Sequence, residues 1–322
     1  MKKELKAASQ PMGYYYVLPD GKKTLPISGS ADFIRDMVEM LDLMVHSPTA
    51  LKILNYNANL PKPLVIEEWK NALDLGRNEK GRLQIASGRL ANGSVADKYD
   101  WLQLVPHEFR HSYNMRSKSI ILQSVAYGIV NEPDAKAMEG VIAMELTEYL
   151  KRENVPGTDT IQKRLESHPT AQMFMSFYDE SKGTDEERKA AAVMRFSQAW
   201  ASQIWPDPRY GHKTAAETAY RVGIERDISP DGGWVRLTDE DFPKVEADLL
   251  RKENAIIRKE WPTFCQRLMD GTYNTDVLPY GQKVKPEELI ETISPKLAAH
   301  LREIGVMPKK EKPYIPTPVA ER

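Results

Sequence analysis

Leu104-Val105-Pro106-His107-Glu108-Phe109-Arg110-His111-Ser112-Tyr113-Asn114, LVPHEFRHSYN, carries two histidines four positions apart with a glutamate directly after the first. On an α-helix, residues at that separation lie on one face, so His107 and His111 can present their imidazoles to a single ion. Glu108 then projects beside the ion's open position rather than into its coordination shell. A hydrolytic zinc needs this arrangement: neutral nitrogen ligands, and a carboxylate placed to take a proton from a water that the metal acidifies. The pattern is short, and its meaning depends on what surrounds it.

A catalytic zinc of this kind takes a third protein ligand, commonly a glutamate from a following helix. Downstream, Asn131-Glu132-Pro133-Asp134-Ala135-Lys136-Ala137-Met138-Glu139 opens a helical pattern that continues to about Arg152. Glu132 is the candidate ligand, because the chain between it and His111 is long enough to turn and return as an antiparallel helix. Ala135 and Ala137 are small and permit a close helix pair. Glu139, two turns further along the same face, is the alternative ligand. Pro133 suits the first turn of a helix, which puts Glu132 at its start. Pro106 either begins the HExxH helix or kinks a longer one begun near Asp97 or Asp100, since an interior proline costs about 3 kcal/mol. Asn131 and Asp134 are candidates either to orient a ligand histidine or simply to cap the helix. Tyr113, Tyr210 and His212 are candidate oxyanion stabilisers, although nothing in their spacing ties them to the metal. His46, His168 and His300 read as structural.

HExxH followed by a glutamate-bearing helix resembles the gluzincin type of zinc metallopeptidase. The wider passage, LVPHEFRHSYN and then NEPDAKAME, is similar to uncharacterised bacterial metallopeptidase families, over roughly residues 50 to 152. Position by position, the resemblance implies Zn2+ ligands at His107, His111 and Glu132, with Glu108 as general base. It implies a zincin-like catalytic domain over residues 30–152 and a protein or peptide as substrate. It does not extend to residues 153–322.

The remaining sequence bounds this reading. With 322 residues, 41% hydrophobic and 28% charged, the chain has the composition of a globular protein with a sizeable core. A formal net charge of -1 supplies no field for nucleic acid or an anionic membrane surface. The single cysteine, Cys265, allows no internal disulfide and reads as a small buried hydrophobe. The N-terminal stretch lacks a signal-like apolar run and no long apolar segment follows, so the expectation is a cytoplasmic protein, with leaderless export left open.

The pattern along the chain predicts an α+β, mostly helical fold. Residues 1–29 read as an N-terminal segment. Helices are expected from Ser30 to Val45 and across Pro48 to Asn55. Short strands are expected at Leu64–Ile66 and Arg82–Ala86, separated by a turn-rich Gly76–Gly81, with Arg82–Ala86 as an edge strand able to pair with an extended peptide. A helical extension is expected over 153–228, a boundary at Ser229–Gly233, a C-terminal helical region over 234–307 and a mobile tail over 308–322. Trp200, Trp205, Tyr210 and Tyr220 read as helix-packing aromatics. Two rival readings share these residues: a non-catalytic helical interaction protein, and a zinc hydrolase acting on a non-peptide bond.

Overall fold

Alternating burial marks the second strand of the chain. In the computed structural model, Met12–Val17 (β1) and Thr24–Gly29 (β2) pair as antiparallel strands, and β2 turns Leu25, Ile27 and Gly29 inward. The structure describes residues 12–70, 75–79, 81–88, 90, 97–111, 117–126, 131–154, 157–204, 242–270, 285–293 and 295–309. Ser30 ends β2 and caps Ala31–Met44 (α1), its side-chain oxygen accepting from the backbone N–H of Phe33 at 3.3 Å. Ser47 does the same for Pro48–Asn59 (α2). The chain then re-enters the sheet as Val65–Trp69 (β3), followed by Gly76–Glu79 (β4) and Arg82–Ala86 (β5). The strand order is β1-β2-β3-β5-β4, with β2, β3 and β5 parallel and β1 and β4 antiparallel to their neighbours.

Three expectations change here. The N-terminal segment is not separate, because β1 and β2 are strands of this sheet. The turn-rich Gly76–Gly81 contains β4, whose polar residues suit a strand at the sheet's end. Arg82–Ala86 is therefore an inner strand between β3 and β4, and the edge beside the helices belongs to β4.

A short 3-10 turn, Lys98–Asp100, capped by Asp97, leads into Trp101–Arg110 (α3). The HExxH helix thus begins near Asp100, and Pro106 lies in its interior. Glu132–Glu153 (α5, after Ile120–Ala126, α4) runs on from Pro133 in its first turn to a left-handed Asn154. Burial extends around most of α5, including Ala135, Ala137, Val141, Ile142, Ala143 and Leu146, so it is the central helix of the fold. Asp159–Ser167 (α6), Pro169–Glu180 (α7) and Asp185–Ile204 (α8) follow. α6 and α7 separate at His168-Pro169, where the proline opens the second helix. Gly140 of α5 lies against Phe174 of α7 so closely that a β-carbon there would meet Cγ of Phe174 at 2.7 Å.

The chain divides into two compact units. The first holds the sheet, α1 to α3, α5 to α7 and α8 as far as Ala201. The second includes residues 116–126 and therefore α4, which the expected 30–152 core had claimed, together with Phe242–Asp270 (α9), Pro286–Ile293 (α10) and Pro295–Glu303 (α11). Within it, Ser119 donates to Glu253 at 2.8 Å and Ser117 to Glu260 at 2.5 Å, tying the start of α4 to α9. Cys265 is buried in α9, and burial pushes its thiol up to about 12, which disfavours the thiolate. The expected boundary at Ser229–Gly233 and residues 310–322 of the tail lie outside the described residues. Among the described residues, no helix is long and apolar enough to cross a membrane.

The link between α3 and α5 is a buried ion pair, Arg110 Nε to Asp134 Oδ2 at 2.5 Å. Removing one partner of such a pair strands a charge in a dry interior, whereas replacing both by apolar groups does not. Arg110→Ala should destabilise the metal-free protein by about 3–5 kcal/mol, and the double change Arg110→Met with Asp134→Leu should cost much less. Urea denaturation of the two variants checks this; equal losses would show that the pair's charge is not what matters.

Candidate metal centre

One turn of α3 separates His107 from His111, and the structure turns both Nε2 atoms toward each other at 3.0 Å. The rings stand edge to face, with centroids 4.6 Å apart at 89°. From the first turn of α5, Glu132 Oε2 reaches within 3.3 Å of His111 Nε2 and 3.7 Å of His107 Nε2. Side chains of α3 and α5 thereby bring one oxygen and two nitrogens together; these three residues could hold a metal ion.

Spacing decides whether zinc fits. Ligand atoms about 2.0–2.1 Å from a tetrahedral ion stand about 3.3–3.4 Å from one another. The observed separations of 3.0, 3.3 and 3.7 Å bracket that value. The donor set, two imidazoles and a carboxylate, is one that zinc accepts with a position left open.

Glu139 is not in this triangle. Its Oε1 lies 2.8 Å from His107 Nδ1, on the ring edge away from the other donors. A carboxylate there favours the proton on Nδ1 and leaves Nε2 free to coordinate. The same oxygen is 2.8 Å from the ammonium of Lys136, one turn earlier on α5. Lys136 had no place in the sequence reading; its spacing from Glu132 and Glu139 along one helix face was the available signal. Asp134 orients no ligand histidine, because it is engaged with Arg110. Asn131 is buried at the head of α5 and makes no capping bond with its side chain.

Glu108 is buried, next to His107 on α3, and its backbone carbonyl accepts from Asn78 Nδ2 at 3.2 Å. That bond anchors β4 alongside the histidine end of α3. Tyr113, Tyr210 and His212 lie outside the described residues, as do Trp205 and Tyr220. Of the remaining histidines, His46 stacks on Tyr149 at 3.9 Å, His168 separates α6 from α7, and His300 meets Asn254 at 2.8 Å. Trp200 stacks on Phe196, with ring centroids 5.9 Å apart.

The electrostatics of the site are strongly perturbed. Burial raises the Glu132 carboxyl, but the hydrogen bond from His111 and the charges of His107 and Lys136 outweigh it and hold it at about 2. Glu139 is likewise held at about 2, by His107 and Lys136 against burial. Burial lowers His107, yet Glu139 and Glu132 together raise it above its ordinary value. The Lys136 ammonium, disfavoured by burial, is held charged by Glu139, Glu132 and Glu108. With both imidazoles neutral, three carboxylates and one ammonium leave a charge of about −2, which a divalent cation cancels.

No family model, curated protein or solved structure matches the chain.

Two outcomes follow from these charges. A metal entering the site must displace the proton from His107, whose pKa is raised above 6.5, so metal affinity should begin to fall on acidification at a pH above 6.5. Without metal, the lowered carboxyls contribute stability in full above 4.5 that is lost as pH falls toward about 2. The raised His107 works in the opposite sense, its contribution present below 6.5 and lost as pH rises through its folded value. Zinc titrations across pH and acid denaturation of the metal-free protein check both; an affinity that does not change between pH 8 and 6 would contradict the first.

The geometry also ranks the two glutamates. Glu132→Ala should lose zinc to a chelator far more readily than Glu139→Ala, for which a loss of about 10–100-fold in affinity is expected of a group that orients a ligand histidine. Metal content after dialysis distinguishes them, and a larger loss in the Glu139 variant would exchange their roles.

Proposed function

We propose that the chain is a zinc-dependent peptidase of the gluzincin type, built on a zincin-like arrangement of a mixed sheet, an HExxH helix and a glutamate-bearing helix. His107, His111 and Glu132 are the proposed zinc ligands, and Glu108 is the proposed general base. The observation that carries this reading is the convergence of Nε2 of both histidines with Glu132 Oε2 at 3.0–3.7 Å, while Glu139 occupies the far side of the His107 ring.

Bound there, zinc would supply Lewis acidity, polarising a scissile carbonyl and lowering the pKa of a water. The protein's own contribution lies in position and proton handling. Glu139 and Lys136 hold His107 in the tautomer whose Nε2 lone pair faces the site. Glu132 arrives ionised, since its neighbours keep its carboxyl near 2. Glu108 takes the proton of the attacking water and delivers it to the leaving amine. β4 is the terminal strand on this side of the sheet and is tied to α3 through Asn78, so a substrate strand laid along it would pass the histidine end of the helix. Such pairing recognises peptide backbone, which favours a peptide over another hydrolysable bond.

Glu108→Gln preserves shape and removes the proton acceptor. Zinc content and thermal stability should stay close to wild type, while cleavage of a peptide identified by an unbiased proteomic screen should fall by about 10² to 10⁴. A Glu108→Gln protein that keeps its zinc and cleaves at the wild-type rate would remove Glu108 from the mechanism.

A further inference from the structure

Pro11-Met12-Gly13-Tyr14-Tyr15-Tyr16-Val17-Leu18-Pro19 carries similar chemistry in either direction from Tyr15. A tyrosine stands on each side, then glycine and valine, then methionine and leucine, then proline. The stretch has no charged residue. Its middle is β1, which stands first in the sheet order, so among the described residues no strand pairs with its outer side.

The pairing with β2 decides which backbone groups face that open side. In an antiparallel ladder, hydrogen-bonded and non-hydrogen-bonded pairs alternate. Tyr15 stands opposite Pro26, which has no N–H to give, so theirs is a non-hydrogen-bonded pair. The bond from the Leu18 N–H to the Lys23 carbonyl, 2.9 Å, falls in the same alternation. The N–H and C=O groups of Gly13, Tyr15 and Val17 therefore point away from β2, along the open edge. Natural sheets guard such an edge with charged residues, proline or a bulge. Between Met12 and Val17 there is none of these, and the register with β2 is unbroken.

The side chains of this strand are open as well. Met12 and Tyr14 on one face, and Tyr15 and Val17 on the other, are all exposed, Tyr15 by 68%. A β-carbon built on Gly13 would meet nothing within 4 Å, so there is room for a neighbouring side chain beside it. The occupant must be a strand, to meet the backbone groups, and an uncharged one rich in apolar and aromatic residues. The symmetry of the stretch about Tyr15 makes β1 its own match.

We propose that β1 pairs antiparallel with β1 of a second copy of this chain, about a two-fold axis through Tyr15, joining two five-stranded sheets into one. Tyr15 then faces its own copy as a hydrogen-bonded pair, and Gly13 faces Val17 on either side, giving about six backbone hydrogen bonds. The valine takes the room beside the glycine. Tyr14 meets Tyr16 of the second copy, and Met12 meets Leu18; aromatic cross-strand pairs of this kind are favourable. One strand per copy makes a small contact, so the dimer is a weak one, with Kd on the order of 10 µM. β1 and β4 end the sheet on opposite sides, and this inference does not depend on the metal centre.

Sedimentation velocity of the full chain between about 1 and 200 µM should show monomer passing into dimer. Tyr15→Lys and Tyr15→Glu each set a charge against its own copy across the axis, and each should weaken the dimer by about tenfold or more. Mixed in equal amounts, the two variants should associate again, because the axis brings position 15 of one copy against position 15 of the other. Tyr15 is exposed, so both variants should keep the wild-type melting temperature. Three results would each overturn the proposal: a wild-type monomer at every concentration, a dimer that neither variant weakens, or variants that stay monomeric when mixed.

Discussion

The Arg110–Asp134 ion pair, 2.5 Å long and sealed from solvent, sets the relation between the two helices that matter most. Arg110 lies between His107 and His111 on α3, and Asp134 lies two residues after Glu132 on α5. A pair at that place fixes both the rotation of α3 and the axial position of α5. A slide of α5 by one residue would shift Glu132 by about 1.5 Å along its axis and turn it through about 100°, away from both histidines. The convergence of the three candidate ligands thus goes with the register that this pair holds.

The same helix repeats this device along its length. α5 carries Glu132, Asp134, Glu139 and Glu145 on its inner surfaces, and each is met by its own cations or donors. Glu145 accepts from the Ser47 hydroxyl at 2.6 Å, the Thr49 backbone at 3.0 Å and the Thr49 hydroxyl at 2.9 Å, with Lys189 at 3.3 Å. That carboxylate stands in at the start of α2, where the first backbone N–H groups lack helical partners. A central helix with so many buried charges gains little from burying them; its stability depends on every charge finding a counterpart at a fixed distance. Such a helix tolerates few alternative packings, and a site built on it inherits that rigidity.

Legibility in the sequence followed how local the signal was. The start of α1 at Ser30 and the course of α5 are carried by side-chain periodicity and by proline, and these were readable. β1 escaped because Met12, Tyr14, Tyr15 and Val17 are all exposed, so the strand lacks the alternation that marks a buried face. β4 escaped because its Gly-Arg-Asn-Glu has turn-like composition, and only pairing with β5 makes it a strand. That error exchanged the edge for an inner strand. At the candidate site, the histidines and both glutamates were identifiable from spacing, but which carboxylate faces Nε2 and which faces Nδ1 depends on how α5 is rotated, a tertiary quantity. Asp134, weighed as an orienting group for a histidine, pairs instead with Arg110, and no sequence period announces that choice.

Gly140 has a consequence that reaches beyond packing. It adjoins Glu139 and lets Phe174 of α7 rest directly on the α5 backbone. Any side chain at this position would either displace Phe174 or push the two helices apart, and a tilt of α5 is one way for the helices to yield. A tilt of that kind would alter the opening between Glu132 and the two imidazoles by tenths of an ångström, the scale on which one divalent ion is preferred to another. The size of an ion held by His107, His111 and Glu132 would then depend on a hydrogen atom of a residue that never touches it.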